Sequence, residues 1–319
     1  MKVAILGAGA MGALIGSCFY KGGADVWLID PFKAHMDKIA NEGLKINVNR
    51  GEKEELIKMN AVTDPDLVGV CDVVVVLVKG MYTRSATQNA KALFNENTFV
   101  ITLQNGVGNA DTLCEIFPKE KVGYGVLNLA SVLVGPGEIN ANYRNDIDNV
   151  DNVYFNSMTD ERLEICKEIQ SILNKGGFKT KYSKEADKFI WQKLIVNCCV
   201  NLTCAITRLT MGQIYDEPNG YQLQRLIVKE LVDVANAKGI EMDYEYEWAH
   251  WEETLQTARA HYPSGAQDMF NNRKTEVDYI NGAISREGDK YGIDTLVNDT
   301  IVLITHIIEN TYDIQYKYN

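Results

Sequence analysis

Hydrophobic and polar positions follow two regimes along this chain. Through residues 2–6, 25–29, 72–78, 98–103 and 122–127 the apolar side chains run almost without interruption, as in strands buried on both faces of a parallel sheet. The stretches between them are long enough for crossover helices, and residues 10–22, rich in small side chains, read as the first. Over residues 128–158 the pattern changes to Gly, Pro, Asn and Asp with short β-like pieces at 138–143 and 152–155, which predicts antiparallel strands added at the sheet edge. Residues 161–175 read as a helix stopped by Gly176 and Gly177. Beyond Lys184 apolar residues recur at helical spacing almost to the end. At 319 residues the chain exceeds one ordinary domain. The expected architecture is α/β, with a doubly wound parallel sheet over residues 1–184 and a second, all-helical domain over residues 185–319.

The junction of the first strand and first helix carries Gly7-Ala-Gly9-Ala-Met-Gly12. Glycines at this spacing permit a tight turn, let a pyrophosphate approach the backbone, and let the helix close on the strand. The helix N-terminus then offers N–H groups to the anion. Asp30 ends the second strand about 20 residues on, where this Rossmann-type fingerprint places a carboxylate for the adenosine ribose hydroxyls. The same stretch superficially resembles an export signal. Cleaving it would delete the first strand of an otherwise intact βαβ unit, so it is expected to stay in the fold.

Composition narrows the partners. A net charge of −11 disfavours a nucleic-acid surface. No apolar stretch is expected to approach the length of a membrane span. Seven cysteines without a CxxC pair read as reduced, buried thiols of a cytoplasmic protein, and four dispersed histidines predict no metal site.

Two polar stripes could carry chemistry. Lys193, Asn197 and Asn201 lie four apart in an otherwise apolar helical segment, and so fall on one helix face. Burying a cation and two amides without partners is costly, so the stripe faces either a cleft or other backbone, with Lys193 snorkelling in the second case. Ser264, Asp268, Asn272 and Glu276 are also four apart, which suits a solvated helix face capped by Ser264 as well as a site. Lys79 and Asn105 follow the third and fourth strands, at the carboxyl ends where such sheets bind ligands, although both also suit ordinary loops.

Together these segments, with Val78-Lys79, Leu103-Gln-Asn-Gly-Val-Gly108 and Arg273-x-Thr-Glu-Val-Asp-Tyr-Ile-Asn-Gly282, resemble the ketopantoate reductase (2-dehydropantoate 2-reductase) family over essentially the whole chain. The resemblance implies hydride transfer from NAD(P)H to the keto carbon of a 2-oxo acid, giving D-pantoate for pantothenate biosynthesis. It implies Lys193 and Glu276 as catalytic residues and Asn197, Asn201 and Ser264 as substrate-binding ones. Gly7, Gly9, Gly12, Asp30, Lys79 and Asn105 would serve the cofactor, with a homodimer as a further partner. The family usually takes NADPH, but Asp30 stands where a basic residue would receive the 2′-phosphate, which tilts the expectation to NADH; Lys33 is the one nearby cation. Gly265, where the family often has Met, and the segment 125–131 also depart from the family pattern. The alternatives are an NAD-dependent D-2-hydroxy acid dehydrogenase for a bulkier 2-oxo acid and, in another class, a non-catalytic NAD(H)-sensing module.

Overall fold

A computed structural model describes residues 1–143 and 151–316, apart from the side chain of Arg50. Residues 144–150, within the segment expected to carry antiparallel strands, lie outside the described residues. The chain sorts into two compact units: Met1–Gln104 with Asn109–Ala186, and Asn105–Gly108 with residues 187–319.

In the first unit β1 (Lys2–Leu6), α1 (Ala10–Lys21), β2 (Asp25–Ile29) and α2 (Lys33–Glu42) lead into β3 (Leu44–Val48), β4 (Lys53–Ile57) and β5 (Asn60–Val62). Next come β6 (Val73–Val76), α3 (Thr83–Asn89), β7 (Phe99–Thr102), α4 (Asn109–Cys114) and β8 (Val122–Leu127). The unit closes with β9 (Ala130–Gly135), β10 (Glu138–Asn142), β11 (Val153–Ser157), α5 (Leu163–Lys175) and β12 (Thr180–Tyr182). The main sheet has eight strands in the order β12-β11-β8-β7-β6-β1-β2-β5. Its pairings are parallel except β8 with β11. Both faces are covered: Val3, Ile5, Val73 and Val75 join one hydrophobic cluster, and Ala4, Leu6, Val74 and Val76 the other. That double burial is why these strands read as unbroken apolar runs.

The sequence expectation is corrected at the sheet edge. Only β11 joins the main sheet as an antiparallel strand. Strands β9 and β10 belong to a second sheet of order β4-β3-β10-β9, in which β10 pairs parallel with β3. The alternate residues Leu44, Ile46 and Val48 of β3 are buried, and with Ile139 and Ala141 they extend the core against α1. An apolar edge already waiting beside α1 thus captures β10.

The second unit is helical among its described residues: α6 (Ala186–Thr207), α7 (Met211–Asp216), α8 (Pro218–Ala237), α9 (Tyr244–Gln256), α10 (Ser264–Phe270), α11 (Asn281–Tyr291) and α12 (Leu296–Glu309). Helix α6 is long and apolar enough, by length and composition alone, to cross a membrane, which corrects the expectation that no stretch approaches that length. Most of it is buried by its own unit: Trp191, Leu194, Ile195, Cys198 and Leu202 pack with Ile227 and Leu231 of α8 and Trp251 of α9.

Glu230 of α8 organises the far side of this core. Its carboxylate accepts from the Val297 and Asn298 N–H groups at 2.8 and 3.0 Å, capping the first turn of α12. It also accepts from Asn298 Nδ2 at 2.7 Å, while Asn298 Oδ1 accepts from the buried Asn281 at the start of α11. Glu230→Ala is therefore expected to lower unfolding stability by about 2 kcal/mol, because it orphans helix N–H groups and a buried amide. Urea unfolding checks this, and an unchanged midpoint would remove Glu230 from the stabilising network.

Candidate functional site

The glycine turn follows β1 closely. Gly7 has φ +98°, a conformation that side chains rarely adopt, and a Cβ there would overlap the Val78 amide. A Cβ on Gly12 would overlap the Gly7 carbonyl, whereas one on Gly9 would meet nothing within 4 Å. The loop is thus closed where helix meets strand and open at Gly9, which fits a pyrophosphate laid against the backbone. Helix α1 has no acidic residue in its first turn to compete for its amide groups. The Gly7 and Ala8 N–H groups donate to the Ile29 carbonyl at 2.9 and 3.0 Å, tying the loop to the end of β2. Asp30 follows directly and is half-buried. One carboxylate oxygen accepts from the Phe32 N–H at 2.9 Å, which fixes the carboxylate's orientation. Lys33, the cation nearest in sequence, pairs with Asp37 at 2.5 Å on an exposed helix face. These residues fit a dinucleotide.

Lys79 lies two residues further from its strand than the apolar run implies, because β6 ends at Val76. It is half-buried and begins the helical turn 80–82. Gln104, which sequence reasoning quoted only as part of a motif, holds this loop. Its Nε2 donates to the Val78 carbonyl at 2.6 Å and to Thr83 Oγ1 at 2.8 Å, and its Oε1 accepts from Thr102 Oγ1 at 2.8 Å. The carboxyl ends of β6 and β7 are thereby cross-linked by one buried amide.

Asn105–Gly108 packs with the second unit. Gly106, at φ +85°, lies against Tyr279, and a Cβ there would overlap the Tyr279 carbonyl. That carbonyl accepts from the Val107 N–H at 2.8 Å. The half-buried Asn105 is therefore carried on a turn fastened three residues past Glu276.

Within the second unit Lys193, Asn197 and Asn201 share a face of α6. Lys193 is half-buried among apolar neighbours, and that burial pulls its pKa from 10.5 down to about 8, with the Glu276 carboxylate opposing the fall. The Nδ2 atoms of Asn197 and Asn201 are both buried and find no acceptor among the described residues. Leaving such donors unpaired costs about 1–3 kcal/mol each, so the stripe is a poor structural device and a good receptor for ligand oxygens.

The second polar stripe is not a helix face. Helix α10 ends at Phe270, and Asn272 adopts φ +53°, so Ser264 and Asp268 are helical while Asn272 and Glu276 are not. Pro263, not Ser264, is the N-cap, which removes the capping role; Ser264 is the exposed first residue of the helix. Asp268 is buried and pairs with Arg273 at 3.1 Å, so it stabilises the chain reversal. Gly265 packs on α6: a Cβ there would sit 2.9 Å from Asn201 Cβ. Glu276 is half-buried at the start of the helical turn 277–279. That turn is braced by α12, whose Glu309 accepts from the Thr275 N–H at 2.7 Å and whose His306 pairs with Asp278 at 3.1 Å. Glu276 thus acts on the charge of Lys193 from a braced turn, outside the helix that its four-residue spacing suggested.

The cysteines are free, and burial raises the thiol pKa values to about 12 for Cys18 and Cys204, and about 11 for Cys71 and Cys166. None of these four is disposed to act as a thiolate.

Residues 3–150 match the family described as Ketopantoate reductase PanE/ApbA, and residues 185–309 match Ketopantoate reductase PanE/ApbA C terminal. The chain is 30% identical to the 2-dehydropantoate 2-reductase of Streptococcus pyogenes serotype M6, over 99% of this chain and 100% of that one. It is 31% identical to the 2-dehydropantoate 2-reductase of Lactococcus lactis subsp. lactis, over 96% and 97% of the two chains. Among solved structures it resembles the ternary structure of D-mandelate dehydrogenase with NADH and anilino(oxo)acetate, at 31% identity and a TM-score of 0.88, covering 98% of this chain and 100% of that one. With both family matches in order along its length, the chain belongs to the ketopantoate reductase family of oxidoreductase enzymes.

Proposed function

We propose that this enzyme reduces a 2-oxo acid to the D-2-hydroxy acid with NADH, ketopantoate giving D-pantoate being the first substrate to test. The observation that carries the reading is the α6 stripe, a half-buried lysine whose charge Glu276 supports, followed by two amide donors that find no acceptor among the described residues.

NADH, when bound, supplies the hydride. Lys193 Nζ, protonated below about pH 8, hydrogen-bonds the keto oxygen, and passes it a proton as the alkoxide forms. A lysine at 10.5 would give up that proton reluctantly, so its lowered pKa eases the transfer at neutral pH. Glu276 keeps enough positive charge on Nζ for the ammonium to persist beside apolar side chains. Asn197 and Asn201 donate Nδ2–H groups to substrate oxygens, and Ser264 offers a hydroxyl at the start of α10. In the first unit the glycine turn takes the pyrophosphate, Asp30 the ribose hydroxyls, and Lys79 a cofactor phosphate; Asn105 holds the nicotinamide amide. The buried, protonated thiols support a cytoplasmic setting.

A second reading, a D-2-hydroxy acid dehydrogenase for a branched or aromatic 2-oxo acid, is favoured by two features. One is the similarity to D-mandelate dehydrogenase. The other is Gly265, which departs from the Met that the family often carries at this position.

Lys193→Ala should reduce kcat by about 10²–10⁴-fold, the worth of a positioned proton donor, with the Kd for NADH within about threefold of wild type. Steady-state rates and calorimetry check it, and a variant with undiminished kcat would exclude the lysine from proton transfer. Wild type should prefer NADH to NADPH by about tenfold or more in kcat/KM, with Asp30→Arg inverting the order through charge reversal at the 2′ position. Running ketopantoate against branched and aromatic 2-oxo acids in the same assay separates the two substrate readings. If ketopantoate ranks far below the others, the pantoate assignment fails; an NADPH-preferring wild type refutes the role given to Asp30.

A further inference from the structure

His35 on α2 is fully buried and belongs to neither the catalytic stripe nor the fingerprint. Its Nδ1 accepts from the Gly137 N–H at 2.9 Å, in the turn between β9 and β10 of the second sheet. A neutral ring that accepts at Nδ1 carries its proton on Nε2. Nε2 is itself buried and finds no hydrogen-bond partner among the described residues, and the backbone group facing the ring is Ala8, between Gly7 and Gly9. The ring also stacks on Phe32, with centroids 6.0 Å apart and planes 20° from parallel. Phe32 in turn donates its N–H to Asp30 and accepts from the His35 and Met36 N–H groups at 3.0 and 3.1 Å. One imidazole therefore meets the glycine turn, the Asp30–Phe32 turn and the second sheet. A second strut is independent of it: Ser131 Oγ of β9 donates to the Ala10 carbonyl at 3.1 Å.

From this geometry we infer that His35, as a neutral Nε2–H imidazole, is a positioning residue for dinucleotide binding. It braces the pyrophosphate turn at Ala8 and the ribose-binding turn at Asp30 against the second sheet. The inference rests on the dinucleotide reading given above and adds a residue that never touches the cofactor. Protonation of Nδ1 would set two donors face to face at Gly137 and release the brace.

Burial depresses the pKa of His35 from 6.5, against opposing contributions from Asp30 and the Ala8 backbone. The neutral ring is therefore the native form, and its bracing is fully present above 6.5 and lost as pH falls through the depressed folded value. Other charges on the elements meeting there are Glu138 beside Gly137, paired with Lys45 of β3, and the Lys33–Asp37 and Lys38–Glu42 pairs of α2. Each of these is an exposed or half-exposed ion pair, already matched in sign.

Calorimetric titration of the full chain with NAD⁺ between pH 7.0 and 5.0 tests the inference. Neither the cofactor pyrophosphate nor Lys193, with its pKa near 8, changes charge appreciably in that range. Wild-type affinity should weaken as pH falls through the depressed His35 value, by roughly tenfold once the ring is protonated, about the worth of one hydrogen bond. His35→Asn, whose carboxamide accepts from Gly137 without titrating, should bind within about threefold of wild type at pH 7.0 and show a flat profile. His35→Phe should bind about tenfold more weakly at pH 7.0, also with a flat profile; if it does not fold, His35→Asn decides alone. A His35→Phe variant that folds and binds NAD⁺ like wild type at pH 7.0, or a His35→Asn profile that titrates like wild type, overturns the inference while leaving the cofactor reading intact. A wild type that binds neither NAD⁺ nor NADP⁺ at pH 7.0 overturns the cofactor reading and this inference with it.

Discussion

An ammonium group held in an apolar helix is the constraint on which the second unit turns. Helix α6 is the core of that unit, so a lysine in its middle suffers desolvation wherever its side chain ends. The carboxylate of Glu276 makes that burial tolerable, and placing it requires the rest of the architecture. The turn 277–279 is braced by Glu309 and His306 of α12, and α12 is capped by Glu230 of α8. Tyr279 fastens the Asn105–Gly108 turn. Glu276 and the Asn105 turn therefore share one anchorage, and a change in α8 or α12 reaches both through backbone position.

The first unit faces a different problem, which is to hold a turn of bare backbone in place without side chains. The glycines that allow close approach also remove the side chains that would hold the turn. Hydrogen bonds replace them: Gly7 and Ala8 to Ile29, Gln104 across the ends of β6 and β7, and Ser131 on the Ala10 carbonyl. The second sheet, built from strands far apart in sequence, serves this end by packing β9 and β10 against α1.

Legibility in the sequence followed the range of the interactions. Val73–Val76 and the other central strands were readable because double burial removes polar alternation, and the glycine turn because its geometry depends on local backbone. Strand β4 was not, since Lys53-Glu-Glu-Leu-Ile57 reads as a solvated loop until β3 pairs with it. The parallel pairing of β10 with β3 joins segments about 90 residues apart, beyond any local pattern. In the site, the i, i+4, i+8 stripe of α6 was legible because that helix continues, whereas the same spacing from Ser264 to Glu276 was accidental. Asn272 turns the chain there, and Glu276 could be named only through family resemblance. His35 left no signal, since its partners Ala8 and Gly137 contribute backbone alone.

The charge state of Lys193, on which proton transfer in the proposed reaction depends, can be observed directly. Following the Lys193 side-chain carbon by NMR across the pH range in the apoenzyme should give a pKa of about 8, and Glu276→Gln should lower it further, since the carboxylate is what holds it up. A lysine that titrates near its ordinary 10.5, or one indifferent to Glu276→Gln, would contradict the claim that burial and Glu276 together tune the proton donor.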